Sequence, residues 1–228
     1  MTTSGTSSFN LDLTELVEEA FERASGGERE LRSGYDFRTA RRSLNLMFAE
    51  WASRGLNMWT VEQGAINLVP GQAVYDLPEN TVDLIEHSIR NGNSGQTDLS
   101  LSRISVSTYA TIPNKTAQGR PVQVYVDRQI VPRVTVWPVP DDSTPYTLIY
   151  WRLRRIEDAG GGVNTQDIPF RFLPCLVAGL AYYIAQKIPE GAPRLGPLKQ
   201  EYEEAWIIAS TEDREKATLR LTPRIYRA

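Results

Sequence analysis

An α+β protein is the fold class the sequence predicts: a four-helix layer built by helices from both ends of the chain, with an inserted antiparallel β module. Three observations lead there. Apolar residues recur at helical spacing near the start and again near the end of the 228-residue chain. The stretch between them alternates apolar and polar residues and is punctuated by Pro and Gly. Four amphipathic helices can bury their stripes against one another only if the two ends of the chain come together. A chain that is 41% hydrophobic carries enough apolar residues for a sizeable core and too many for disorder. No internal repeat is visible.

Residues 1–11 read as a flexible tail, Ser/Thr/Gly-rich up to Ser8. A helix begins at Asp12, whose carboxylate and the Glu15 side chain form a capping box. Leu13, Leu16, Val17, Ala20, Phe21 and Ala24 make one stripe, and Ser25-Gly26-Gly27 stops the helix. A second helix spans Asp36 to Ser53, with Ala40, Leu44, Met47, Phe48 and Trp51 on its apolar face and Gly55 as its cap. Arg38, Arg41, Arg42 and Asn45 lie off that face. Residues 12–58 are thus the first half of the helical layer.

Residues 59–158 form the β module. Val61, Ile66, Leu68 and Val74 are strand residues around a Pro70-Gly71 turn. Thr81–Arg90 fits neither period cleanly and is read as strand. Asn91–Gly95 is a turn or exposed loop, and Ile104–Ile112 a short helix started by Ser105 or Ser107. Val122, Val124 and Val126 alternate with Gln123, Tyr125 and Asp127; Val134 and Val136 alternate with Thr135 and Trp137. Pro138 ends that strand because it has no N–H to donate. In the strand from Tyr146 to Leu153, Leu148, Tyr150 and Arg152 oppose Ile149, Trp151 and Leu153.

Residues 159–217 supply the second half of the helical layer. Gly160-Gly161-Gly162 is a loop and no phosphate cradle, since the Gly-Lys-Ser/Thr ending of a P-loop is absent. The third helix starts at Asp167-Ile168-Pro169 or near Leu173, with Pro174 in its first turn. Its stripe is Leu173, Leu176, Val177, Leu180, Ala181 and Ile184; Gly179 allows close packing, and Pro189 and Gly191 end it. The last helix runs from Leu195 to Ala217 and shows Leu198, Tyr202, Ala205, Trp206 and Ala209 on one face. Residues 218–228 are an extended arm, in which Leu219, Leu221, Ile225 and Tyr226 alternate with Arg220, Arg224 and Arg227 around Pro223. Its apolar content suggests docking on a partner, by strand addition for instance.

Charge and rare residues exclude much. With 25 Lys+Arg against 28 Asp+Glu, the net charge is −3, so phosphate gains no global attraction. One Cys and one His cannot build a Cys/His zinc site or an internal disulfide. Cys175 sits in an apolar helical run and reads as a small buried hydrophobe. His87 reads as a surface or partner-contact residue, because no oriented nucleophile accompanies it. No cofactor motif, secretory signal or membrane-length apolar run is present, which reads as a soluble protein made in a reducing cytoplasm. Carboxylates are plentiful, but they lie beside Arg and Lys as on solvated helix faces; a glycosidase-like pair remains possible by composition alone. Trp151-Arg152-Leu153-Arg154-Arg155 has two readings. Its aromatic and Arg residues could meet nucleic acid. The simpler reading is a strand with Trp and Leu facing the core and Arg covering its rim.

The run Asp36–Gly64 resembles the head-to-tail adaptors of short-tailed bacteriophages. The likeness continues through Pro70-Gly71, Tyr75-Asp76-Leu77-Pro78, Gly119-Arg120-Pro121, Trp137-Pro138-Val139-Pro140-Asp141 and Asp167-Ile168-Pro169, in that order. The resemblance implies a non-enzymatic structural protein of the virion, made in the host cytoplasm and placed at the head-to-tail junction. It implies a homo-oligomeric ring, commonly of twelve copies, that binds the portal protein, extends the DNA channel and seats the tail or nozzle protein. It also implies that Leu219, Arg220, Leu221, Pro223, Arg224, Ile225, Tyr226 and Arg227 form a portal-docking arm. Genomic DNA would pass without sequence-specific binding, and no membrane is involved. Arg38, Arg41, Arg42, Arg152, Arg154 and Arg155 are candidates for ring contacts or for facing nucleic acid. Two other classes stay open: a virion-associated cell-wall hydrolase, and an assembly factor absent from the finished particle.

Overall fold

A computed structural model describes residues 3–27, 34–55, 58–92 and 97–214. The fold is α+β, with five α-helices and two four-stranded sheets among the described residues. The chain divides into two compact units, residues 1–48 with 158–228, and residues 49–157.

In the first unit, helix α1 (Leu13–Ser25) starts at the Asp12 capping box: the Asp12 carboxylate accepts from the Glu15 N–H, and Glu15 accepts in return from the Asp12 N–H. Gly26, at φ 70°, turns the chain out of the helix in the left-handed conformation a side chain resists. The triglycine loop has an assigned job. The Thr14 N–H donates to the Gly162 carbonyl and the Leu13 N–H to the Asn164 carbonyl, so the loop satisfies N–H groups that the first turn of α1 leaves open. This is how the two ends of the chain meet.

Helix α2 (Gly34–Arg54) buries the predicted Ala40, Leu44, Met47, Phe48 and Trp51. After a 3₁₀ turn at residues 170–172 comes α4 (Leu173–Ala185), which packs on both α1 and α5 (Leu195–Glu212). The single stripe read for α4 is too narrow. Cys175, Ala178, Gly179 and Ala185 are buried as well, so this helix is apolar nearly all round, as a central helix must be. Gly179 sits where a Cβ would come within 2.5 Å of Met47 Sδ and 2.8 Å of the Tyr202 ring, which lets α2 and α5 approach α4. The helix ends at Ala185, short of Pro189: the Gln186 and Lys187 N–H groups turn back onto Tyr182 and Ile184, and a 3₁₀ segment over 189–194 follows. Gly191 in that segment crosses Ala185 too closely for any side chain. Helix α5 ends at Glu212, five residues before the predicted Ala217, where Asp213 bends to meet Arg171; residues 215–217 lie outside the described residues.

The second unit is a β-sandwich. One sheet has the order β1-β8-β3-β4, formed by Val61–Asn67, Tyr146–Arg154, Thr81–Asn91 and Thr97–Ser100, all antiparallel. The other has the order β2-β7-β6-β5, formed by Val74–Asp76, Arg133–Trp137, Gln123–Asp127 and Ser102–Arg103. The module is not wholly antiparallel, because β5 pairs parallel with β6. The connection between them, which contains the short helix α3 (Val106–Ala110, capped by Ser105), is long enough for a parallel crossover. Leu84, Ile89, Leu148 and Tyr150 of the first sheet meet Tyr75, Val124, Val126, Val134 and Val136 of the second. Val122, expected on this inner face, is 40% exposed and lies just outside β6. The mixed periodicity of Thr81–Arg90 has a cause: the β3–β8 register shifts twice, between Thr81 and Asp83 and between Leu84 and Glu86. Each shift changes which side chains face inward.

Candidate assembly surfaces

Chemistry-bearing side chains lie on three surfaces. The first is the outer face of α2. Arg38, Arg41 and Arg42 are exposed and make no ion pair or hydrogen bond among the described residues. Their spacing of three and four places them on one helical face. Arg42 borders a cleft of about 540 Å³ lined also by Phe21, Tyr35, Asp36, Thr39, Ile184, Lys187 and Ile188. The Lys187 ammonium donates to Ser43 Oγ, and burial together with the Arg42 charge pushes its pKa down.

The second surface is the outer end of β8. Glu62 on β1 stands opposite Arg152 in register. Its two carboxylate oxygens accept from Arg152 Nη2 at 2.9 Å and Arg154 Nε at 2.6 Å. Arg152 Nη1 also donates to Asn80 Oδ1 and Thr81 Oγ1. These two arginines are therefore engaged within the sandwich, while Arg155 is exposed. The expectation for Trp151 is corrected: it is 44% exposed, because the inner face of β8 carries Leu148, Tyr150 and Arg152. Strand alternation then turns Trp151 to the other face.

The third surface is where the chain leaves α5. Asp213, 7% exposed, accepts from Arg171 Nε and Nη2. That pair fixes the start of the C-terminal segment against the turn before α4. The predicted arm residues Leu219, Arg220, Leu221, Pro223, Arg224, Ile225, Tyr226 and Arg227 lie outside the described residues. Beside this point an apolar groove of about 370 Å³ is lined by Phe9, Leu11, Phe170, Leu173, Pro174 and Val177. Sequence reasoning missed it; Phe9 and Phe170 gave no periodic signal.

The remaining singular residues are internal. Cys175 is buried in α4, as expected. His87 is half-buried: it stands opposite Tyr150 in the β3–β8 register, and both ring nitrogens are buried without a hydrogen-bond partner among the described residues. Burial chiefly, and the Arg103 charge after it, push its pKa below 6.5; Glu86 and the Leu101 backbone pull weakly the other way. The sign follows. Below pH 6.5 the unfolded chain binds a proton at this position that the native state resists, so stability falls as pH drops from 6.5 towards the lowered value. Thermal melts of the wild type and His87→Leu should show this as a growing disadvantage of the wild type on acidification. The difference should stay under about 1.4 kcal/mol per pH unit, because only one proton is at stake. A pH-independent difference would refute it.

Exposed charged faces on two compact units, with no metal-binding cluster of His, Cys, Asp or Glu among the described residues, fit a class of protein that works by contact with other molecules. Residues 11–224 match the SU10 adaptor protein family, and the chain belongs to that family. It is a family of bacteriophage head-to-tail adaptors, structural components of the virion. No curated protein matches the chain. Among the described residues, no helix is long and apolar enough to cross a membrane.

Proposed function

We propose that this protein is the adaptor at the head-to-tail junction of a short-tailed phage. In this reading its copies, twelve in number, form a ring beneath the portal protein, extend the DNA channel and seat the tail or nozzle protein. The observation that carries it is the extent of the family match, which covers both structural units and runs into the basic C-terminal segment as far as residue 224. Charge supports it. Residues 218–228 hold Arg220, Arg224 and Arg227 and no acid, so they carry +3; the rest of the chain carries −3 − 3 = −6. An acidic body surrounds DNA without gripping phosphate, and the basic arm is set apart to hold a partner. The arm's alternating Leu, Ile, Tyr and Arg residues suit an extended segment laid along the portal.

Deleting residues 218–228 tests the central claim. The truncated protein should keep the wild-type melting temperature and should lose capture by the cognate portal. Unimpaired capture would refute the docking role. Counting this chain in purified virions at portal stoichiometry would separate the adaptor from a transient assembly factor.

A further inference from the structure

The α1 and α2 surfaces carry opposite charges that are not paired among the described residues. The Glu18 and Glu22 carboxylates are exposed on α1 and make no ion pair or hydrogen bond among the described residues. Neighbouring charges behave differently: Glu19 is bound to Arg23, and Arg23 also reaches Glu201. Arg38 and Arg42 on α2 are equally unpaired, with Arg41 between them. Among the described residues no ion pair relieves this positive face. Lys187 adds like charge beside Arg42. The spacings also correspond. Glu18 to Glu22 and Arg38 to Arg42 are each four residues, so each pair spans about 6 Å of helix axis. Both sets belong to the same compact unit, and no ion pair joins them within it.

We infer that the α1 acidic face of one copy docks on the α2 basic face of the next. The occupant of each surface is a second copy of this chain. Two different patches meeting in this way give a heterologous, head-to-tail contact, the kind that generates a ring when its rotation closes. The inference rests on the proposed ring and names the surfaces that build it. Such charge pairs act mainly on register and association rate, and they weaken as salt rises.

The test is charge reversal in the full chain. Glu18→Lys with Glu22→Lys makes both faces basic; Arg38→Glu with Arg42→Glu makes both acidic. Self-association by sedimentation velocity and light scattering at roughly 50 mM salt should weaken about tenfold in each variant relative to the wild type. The four-substitution chain has wild-type net charge and should recover wild-type association. A mixture of the two double variants should also recover it. Glu79→Lys/Asp142→Lys and Arg120→Glu/Arg128→Glu, which make the same net-charge changes on the sandwich and leave both helical faces intact, should each associate like the wild type. Helical-face variants that associate like the wild type, sandwich variants weakened as much as they are, or a mixture no better than its separate components would overturn the inference. So would an Arg38→Glu/Arg42→Glu protein altered only in binding duplex DNA, which would assign the basic face to phosphate. Portal capture of the wild type is measured separately, so failure of this contact and failure of the adaptor reading are told apart.

Discussion

Phe172→Ala is expected to destabilise the helical unit by about 3–5 kcal/mol, while Phe170→Ala stays within about 0.5 kcal/mol of the wild type. The two residues stand on the same 3₁₀ turn. Phe172 is fully buried and meets the Trp206 ring of α5 edge-on, with centroids 5.9 Å apart. Phe170 is 70% exposed. Removing the Phe172 ring empties a site at the junction of α4 and α5, where rigid helices limit collapse. Chemical denaturation of the two variants checks the contrast. Equal losses would mean that the turn itself, and no single ring, holds the junction.

Gly64→Val is expected to cost about 1–3 kcal/mol in the wild type and much less in a Tyr150→Ala background. A Cβ on Gly64 would lie 2.3 Å from Tyr150 Cζ. Tyr150 is 4% exposed and belongs to the sandwich core, so its ring has nowhere to go without disturbing neighbours. The strands can separate, the ring can leave its rotamer, or both, and each loses packing. If steric exclusion is the cause, prior removal of the ring must make the substitution nearly neutral. A double-mutant cycle with no coupling would instead point to loss of glycine's backbone freedom in β1.

Much of the fold was legible because its signals are local. The Asp12–Glu15 box, the Gly26 stop, the Ser105 cap and the Pro70-Gly71 turn each depend on residues a few positions apart. The stripes of α1 and α2 were legible too, since one helical face is buried and the other wet. Thr81–Arg90 resisted reading because two register shifts break its period. The parallel pairing of β5 escaped because a two-residue strand carries no periodicity.

The candidate surfaces divide in the same way. The Arg38, Arg41 and Arg42 face follows from helical spacing alone, and the structure adds that no described residue forms an ion pair with it. Arg152 and Arg154 looked equally available, yet Glu62 holds both from 90 and 92 positions away. The sequence by itself determined the helices, most strands, the meeting of the chain ends and the charge contrast between body and arm. Each of these follows from local propensity, hydrophobic period or a sum of charges. Only the tertiary structure decided that Phe172 is core and Phe170 surface, that Gly64 must lack a side chain, and which arginines are already engaged. Those outcomes depend on partners brought together by strand register and helix packing, and no window of neighbouring residues contains them.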